Sequence, residues 1–237
     1  MMYCMDSPIV EKLGIRRTEN MKRLIPIILI LTLMSVPVYA DDLQDGINAY
    51  IQRDRETAMQ KLLPLAEEGV SVAQYYIGKM SESNKWLRMS AMQGYAPAQF
   101  ELGFRYHYRD CKKAIKWMQM AIDQNYPHAM EELGVWYWRG DEDDCVTQNF
   151  TEAARLSKRG AELGHPPAQL LFGRLYYEGE GVPQDYVMAH MWFVLGSIKG
   201  DETALYWREK SRKQMTPAQI SEAQKLAREW IEEHGKE

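Results

Sequence analysis

The stretch AQLLFGRLYYEGEGV, residues 168–182, holds three glycines that could belong to a phosphate-binding loop. These glycines stand at positions 173, 179 and 181, and alanine and leucine precede them at helical spacing. Loops that cradle phosphates follow a strand in the common nucleotide-binding motifs. The pattern therefore favours a helix with its terminal turn over a nucleotide site.

Catalytic and metal-binding patterns are absent from the sequence. The five histidines show no two-histidine metal spacing, and the chain has no H-E-x-x-H, S-x-x-K, G-x-S-x-G or Walker sequence. The acidic run 141–144 offers oxygen ligands for calcium, but its spacing is not that of a calcium loop, which favours a solvated turn. We therefore predict no catalytic residue, no metal site and no cofactor.

The N-terminal segment has the pattern of an export signal. Basic residues at 22–23 precede the apolar run LIPIILILTL, and short side chains lead to a cleavage point after Ala40. An uncleaved anchor is disfavoured because the run is shorter than the roughly 20 residues that a membrane span needs. We assign residues 21–40 to a signal peptide and residues 1–20 to an upstream extension, which is absent if translation begins at Met21.

Export and charge together restrict the location and the partners. The mature protein is predicted to be periplasmic or secreted, with no stable membrane span once the signal is removed. Residues 1–40 contain five Lys or Arg and three Asp or Glu, so their removal changes the net charge from −4 to −6. An acidic chain has no electrostatic basis for binding nucleic acid.

A glycine or asparagine stands four residues before an alanine at five places. The pairs are Gly69/Ala73, Gly94/Ala98, Asn125/Ala129, Gly164/Ala168 and Gly200/Ala204. Glycine, and less readily asparagine, adopts the left-handed conformation that ends a helix. Successive alanines are 25, 31, 39 and 36 residues apart, which is the length of a helix pair.

A second glycine recurs inside the helix that each alanine begins. It follows a bulky residue in Ile77-Gly78, Leu102-Gly103, Leu133-Gly134 and Phe172-Gly173. Glycine within a helix costs about 1 kcal/mol relative to alanine, so we expect a compensating close approach of the partner helix.

The repeat length predicts an all-α solenoid of stacked antiparallel helix pairs, with about five units over residues 41–204. A compact helical bundle with accidental spacing is the alternative. Residues 205–237 are interpreted as C-terminal capping helices, since Thr216-Pro217-Ala218-Gln219 is a capping box with proline at the first helical position. A free amphipathic tail is the alternative for this segment.

These residues resemble the Sel-1-like repeats, short relatives of the tetratricopeptide repeat. The fullest match is AQLLFGRLYYEGEGVPQDYVMAHMWFVLGSIKG, where Phe172 takes the place of the family's leucine. The resemblance runs from about Asp45 to Ala204, and it implies an α/α superhelix that serves as a binding scaffold.

One stripe of the first helix in each unit varies while the core positions stay constant. It lies three, seven and ten residues after the alanine, and we call it the variable stripe. Its members are Tyr76, Glu101, Arg105, Tyr108, Glu132, Trp136, Arg139, Leu171, Leu175 and Glu178. Trp, Tyr and Arg dominate binding energy at interfaces, so we predict that the stripe lines a concave groove for a partner. The alternative is that neighbouring units bury Trp136 and Leu175.

Two cysteines, Cys111 and Cys145, remain after signal cleavage. Each lies in or near the segment between the helices of successive units, and the predicted compartment is oxidising. A disulfide between them would stabilise the fold by roughly 3 to 4 kcal/mol. Two unpaired thiols are the alternative.

We expect a non-enzymatic scaffold that holds another envelope or secreted protein or peptide. One alternative is an immunity protein that neutralises a periplasmic toxin such as a lipase, which an adjacent toxin gene would favour. Another is β-lactam hydrolysis, which the resemblance raises through cysteine-rich members and which nitrocefin turnover would test. This chain lacks paired cysteines in each unit and a serine-lysine pair, which disfavours hydrolysis.

Overall fold

A computed structural model describes residues 40–140 and 146–235, and every regular element in these two ranges is a helix. The predicted signal peptide, apart from Ala40, lies outside them, as do the acidic run 141–144 and Cys145. None of the helices in these ranges combines the length and apolar composition that crossing a bilayer requires.

The described residues form two compact units, which divide between Gly69 and Val70. In the first, residues 40–51 form α1 and Arg55–Glu67 form α2. Lys61 Nζ donates to Asp42 Oδ1 at 2.6 Å, which joins the two helices.

The second unit consists of ten further helices in the described ranges. They are α3 (Ser71–Met80), α4 (Asn84–Met92), α5 (Ala96–Tyr106), α6 (Cys111–Asp123), α7 (Pro127–Arg139), α8 (Phe150–Glu162), α9 (Pro166–Glu178), α10 (Tyr186–Gly196), α11 (Glu202–Arg212) and α12 (Pro217–His234).

Helices of this unit pack in chain order. We call α3, α5, α7, α9 and α11 the first helices and α4, α6, α8 and α10 the second helices. Each first helix from α3 to α9 contacts its own second helix, and each second helix contacts the next first helix. The first helices α7, α9 and α11 also contact one another in sequence. The predicted all-α solenoid of stacked helix pairs is confirmed.

All five predicted turn residues have the left-handed backbone. Gly69, Gly94, Gly164 and Gly200 have φ between 73° and 99°, and Asn125 has φ of 60°. Asparagine offers a side chain that glycine lacks, and the Oδ1 of Asn125 accepts a hydrogen bond from Arg159 of α8. Arg159 also donates to the carbonyl oxygen of Ile122 at 3.0 Å, so this turn is held by the next second helix.

The glycine within each first helix lies against a second helix, as predicted. A Cβ on Gly78 would come 2.8 Å from Leu87, and one on Gly103 would come 2.8 Å from Met118. The tightest approach is at Gly173, where a Cβ would lie 2.7 Å from the ring of Phe193, which is fully buried. Glycine therefore sets the distance between the two helices of a unit.

A buried glutamine after the repeat alanine connects successive units, a role that the sequence pattern did not predict. Gln99 Nε2 donates to the carbonyl oxygen of Ala91 at 3.1 Å, and Gln169 Nε2 donates to that of Ala161 at 3.3 Å. Both carbonyls belong to the last turn of the preceding second helix, where backbone acceptors lack helical partners.

The chain ends with a helix that covers the last second helix. α12 packs on α10, with Ala223 and Ala227 buried in the same cluster as Trp192. The capping box at Thr216 and Gln219 is present, as predicted. The glycine-rich stretch from the sequence is a helix and its turn, because Gly179 is the left-handed cap of α9 and donates to the carbonyl oxygen of Leu175 at 2.9 Å.

Replacing Gly173 by alanine should lower the free energy of unfolding by about 1 to 2 kcal/mol, because the overpacking exceeds the gain in helix propensity. Urea denaturation measures the change. Gly134→Ala is the matched control, since the nearest neighbour of its Cβ would be the end of the Leu171 side chain at 3.3 Å. A loss of stability that is equal in both variants would contradict the close-approach explanation.

Candidate functional site

The variable stripe divides into three classes of exposure. Tyr108, Arg139 and Glu178 are exposed, whereas Tyr76, Glu101, Arg105 and Glu132 are half-buried. Trp136, Leu171 and Leu175 are buried. Partner binding by the first two classes stays a prediction, and the buried class needs a different role.

Trp136 belongs to the core. Its side chain is 5% exposed and lies in a cluster with Met130 and Leu133. The indole Nε1 donates to Glu132 Oε1 at 2.8 Å, and the ring stacks on His107 at a centroid distance of 3.8 Å. His107 stacks in turn on Tyr108, which is 75% exposed. The expectation that Trp136 lines an open groove is therefore wrong. Of the three stacked rings, Trp136, His107 and Tyr108, only that of Tyr108 is exposed.

Leu171 and Leu175 are also core residues. They are 4% and 0% exposed and pack in one cluster with Phe172 and Trp192. The neighbouring unit buries them, which is the alternative that the sequence left open. The groove assignment is wrong for both.

Glu101 and Arg105 form a network between two first helices. Glu101 accepts from Lys79 of α3 and from Arg105 of its own helix, both at 2.9 Å, and Arg105 also donates to Asn84 at 3.2 Å. Burial by itself would raise the pKa of Glu101, but these hydrogen bonds and charges outweigh it and lower the pKa. A carboxylate that already accepts two hydrogen bonds from cations of its own chain has little capacity to accept more from a partner.

Aromatic residues line the N-terminal ends of the first helices. Tyr95, Tyr126 and His165 occupy the N-cap positions of α5, α7 and α9. The ring of His128 lies 5.0 Å from Tyr126 and 4.4 Å from His165. Burial, with smaller effects of His128 and Lys199, lowers the pKa of His165 to about 4.

Glu131 is a half-buried carboxyl that the sequence pattern did not indicate. It stands two residues after the repeat alanine, where neighbouring units have Phe100 and Leu170. Burial raises the pKa of Glu131 to about 7, with a further contribution from the carboxylate of Glu132, although Arg139 opposes the rise. The one signal for this carboxyl in the sequence is that an acidic residue occupies a position that is apolar in the adjacent units.

A cluster of cations and indoles crosses three first helices. The guanidinium carbon of Arg174 in α9 lies 4.2 Å from the ring centre of Trp138 in α7 and 4.7 Å from that of Trp207 in α11. Lys210 Nζ lies 4.1 Å from the Trp207 ring centre. We call Trp138, Arg174, Trp207 and Lys210 the cation–indole cluster.

The repeat pattern contained part of this cluster. Trp207 stands three residues after Ala204 and therefore occupies a variable-stripe position in the last unit, although the predicted stripe ended at Glu178. Arg174 is six residues after its alanine and Trp138 is nine residues after its own, so both lie beside the stripe. Arg139, a predicted stripe residue, joins the edge of the cluster at 5.8 Å from the Trp138 ring.

The proposed Cys111–Cys145 disulfide stays a prediction. Cys111 is the first residue of α6, and Cys145 lies outside the described ranges.

Trp136→Ala should destabilise the protein by about 3 kcal/mol, because it removes a buried indole and its hydrogen bond. Thermal and urea denaturation measure the loss. Tyr108→Ala, at the exposed end of the three stacked rings, should change stability by less than about 0.5 kcal/mol. An unchanged melting temperature in Trp136→Ala would contradict the core role of Trp136 and favour a role in partner binding.

Glu131→Gln should raise the melting temperature by a few degrees at pH 8 and leave it nearly unchanged at pH 4. The folded-state pKa of about 7 is above the ordinary value of 4.5, so ionisation costs stability as pH rises between these values. The measurement is the difference in melting temperature between variant and wild type across this range. A difference that does not change with pH would contradict the burial of this carboxyl.

Comparison with known proteins gives a family and two structural relatives. The family model for the Sel1 repeat matches residues 79–95, 96–126, 127–165 and 166–201. The crystal structure of c5321, a protective antigen of uropathogenic Escherichia coli strains with an SLR fold, has a TM-score of 0.72 and 27% identity. That alignment covers 83% of this chain and 46% of that one.

A Sel1 repeat protein from Oxalobacter formigenes has a TM-score of 0.58 and 27% identity, over 65% of this chain and 49% of that chain. This chain therefore spans about half the length of the two solved structures that it resembles. No curated protein sequence matches it. Repeat matches over more than half of the chain, together with stacked helix pairs, show that the chain belongs to the Sel1 repeat family.

Proposed function

We propose that this chain is an exported, non-enzymatic scaffold that binds another envelope or secreted protein through the first helices of Val70–Glu237. Sel1 repeats mediate protein–protein interaction, and the family consists generally of non-catalytic scaffolds. Export is proposed from the N-terminal sequence pattern alone.

The observation that carries the proposal is the mixture of buried and accessible side chains on the first helices and in the turn that follows α5. The core residues Trp136 and Leu175 hold the helices together, while Tyr108, Arg139 and the half-buried Trp138 remain at the surface. Partly exposed aromatic and arginine side chains on a fixed backbone are the groups that provide most binding energy at interfaces. They also lose little conformational freedom when a partner binds.

Three first helices place surface side chains next to one another. The helices α7, α9 and α11 contact one another in sequence, and the contacts of Arg174 with Trp138 and Trp207 span all three. An arrangement of this kind suits an extended segment of a partner, which gains one set of contacts from each unit.

Capture of a partner from the envelope fraction tests the proposal. The tagged wild-type protein should retain a specific partner after chemical crosslinking, and the triple variant Tyr108→Ala, Arg139→Ala, Glu178→Ala should lose most of it. These three residues are the exposed members of the variable stripe, so their removal should leave the melting temperature nearly unchanged.

The matched control carries three exposed lysine substitutions on second helices, Lys112→Ala, Lys116→Ala and Lys158→Ala. This control should capture the partner as well as the wild type does. Equal loss in both triple variants would reject the first-helix face, and the absence of a specific partner of the wild type would reject the scaffold proposal.

A further inference from the structure

The guanidinium of Arg174 lies close to two indole rings. These are the rings of Trp138 and Trp207, which come from the first helices on either side of α9. Cation–π contacts of this kind fix the plane and the position of a guanidinium. The arginine is therefore oriented before any ligand arrives.

Lys210 adds a second positive charge beside the same indole. Its Nζ lies 4.1 Å from the ring centre of Trp207 and 5.0 Å from that of Tyr177, a ring that is 7% exposed. Two cations from α9 and α11 thus share one tryptophan, and both keep part of their surface in contact with solvent.

Neither cation has a carboxylate partner within the described part of the chain. No ion pair or hydrogen bond joins Arg174 or Lys210 to a described residue, and the Arg174 Nε–H is buried without a hydrogen-bond partner. Glu178, four residues after Arg174 in α9, is exposed and forms no ion pair with it, and Glu180 accepts from Trp138 Nε1 at 2.7 Å instead. Burial lowers the pKa of Arg174, against the opposing effects of Glu178 and Glu180.

A half-buried guanidinium without an acceptor loses hydration and gains no hydrogen bond in return. The planar guanidinium edge matches a carboxylate, which can accept two parallel hydrogen bonds from it. An ammonium at the next ring provides charge without strict geometry. The pair is suited to a ligand with more than one acidic group.

We propose that the cation–indole cluster binds carboxylate side chains of an acidic segment in the partner. This inference rests on the proposed function, since the cluster lies on the first helices, and it specifies the chemistry that the partner presents. The whole chain carries a net charge of −4, so recognition depends on these local cations and not on long-range attraction.

Titration calorimetry with a defined peptide tests the inference on the full-length protein. The probe is tetraglutamate with an acetylated N-terminus and an amidated C-terminus, and tetraglutamine with the same ends is its control. We expect the wild type to bind tetraglutamate and not tetraglutamine. Arg174→Met and Lys210→Met should each weaken tetraglutamate binding by about tenfold.

Two further variants make the test independent of folding defects. Glu180→Gln removes a negative charge that acts on Arg174 and keeps an oxygen that can accept from Trp138 Nε1, so it should strengthen tetraglutamate binding. Arg228→Met, an exposed position on α12, should leave binding unchanged. Melting temperatures of all four variants are compared with that of the wild type.

Absence of tetraglutamate binding, equal binding of both peptides, or full binding by both Arg174→Met and Lys210→Met would overturn the proposal. Binding of inorganic phosphate in the absence of tetraglutamate binding would also overturn it, in favour of a phosphate ligand. If Arg174→Met still captures the crosslinked partner, the scaffold proposal stands and the carboxylate assignment fails. If tetraglutamate binds through Arg174 while no partner is captured, the cluster stands and the scaffold proposal fails.

Discussion

The distance between the two helices of a unit determines the rest of the structure. At Gly173 the backbone of a first helix comes so close to Phe193 and Ala189 that any side chain would enter occupied space. Glycine weakens a helix by about 1 kcal/mol, and close packing of the facing side chains offsets that cost. Gly78 and Gly103 approach their second helices as closely, whereas Gly134 has more room, so three of the four units share this tight spacing.

Polar contacts then fix how units follow one another. Gln99 and Gln169 bond to carbonyl groups that end the preceding second helix, and Arg159 bonds to the turn at Asn125. A buried amide with a specific acceptor tolerates only one arrangement of its neighbours, because any other leaves a polar group without a partner. Apolar packing provides most of the stability of such a stack, and these bonds select its register.

The variable stripe contains both buried core residues and exposed surface residues. In α7 a stripe position places Trp136 in the core, whereas Tyr108, in the turn after α5, is exposed, and in α9 two stripe positions bury leucines. The half-buried residues Trp138, Arg174 and Trp207 instead place a cation against two indoles, and this is the chemistry that we propose a partner recognises. Rigid aromatic support of this kind orients a charge in advance, which lowers the entropic cost of recognition.

Local sequence patterns determined the helices, their turns and the repeat. The left-handed turns at Asn125 and the four glycines, the capping box at Thr216 and the close approach at Gly173 depend on neighbours within one helix or one helix pair, which a linear pattern contains. Only the tertiary structure decided which stripe residues face solvent, because burial of Trp136 and Leu175 depends on side chains from the adjacent unit. The cation–indole cluster likewise joins residues 138, 174 and 207, whose shared position arises from stacking and not from their spacing in the chain.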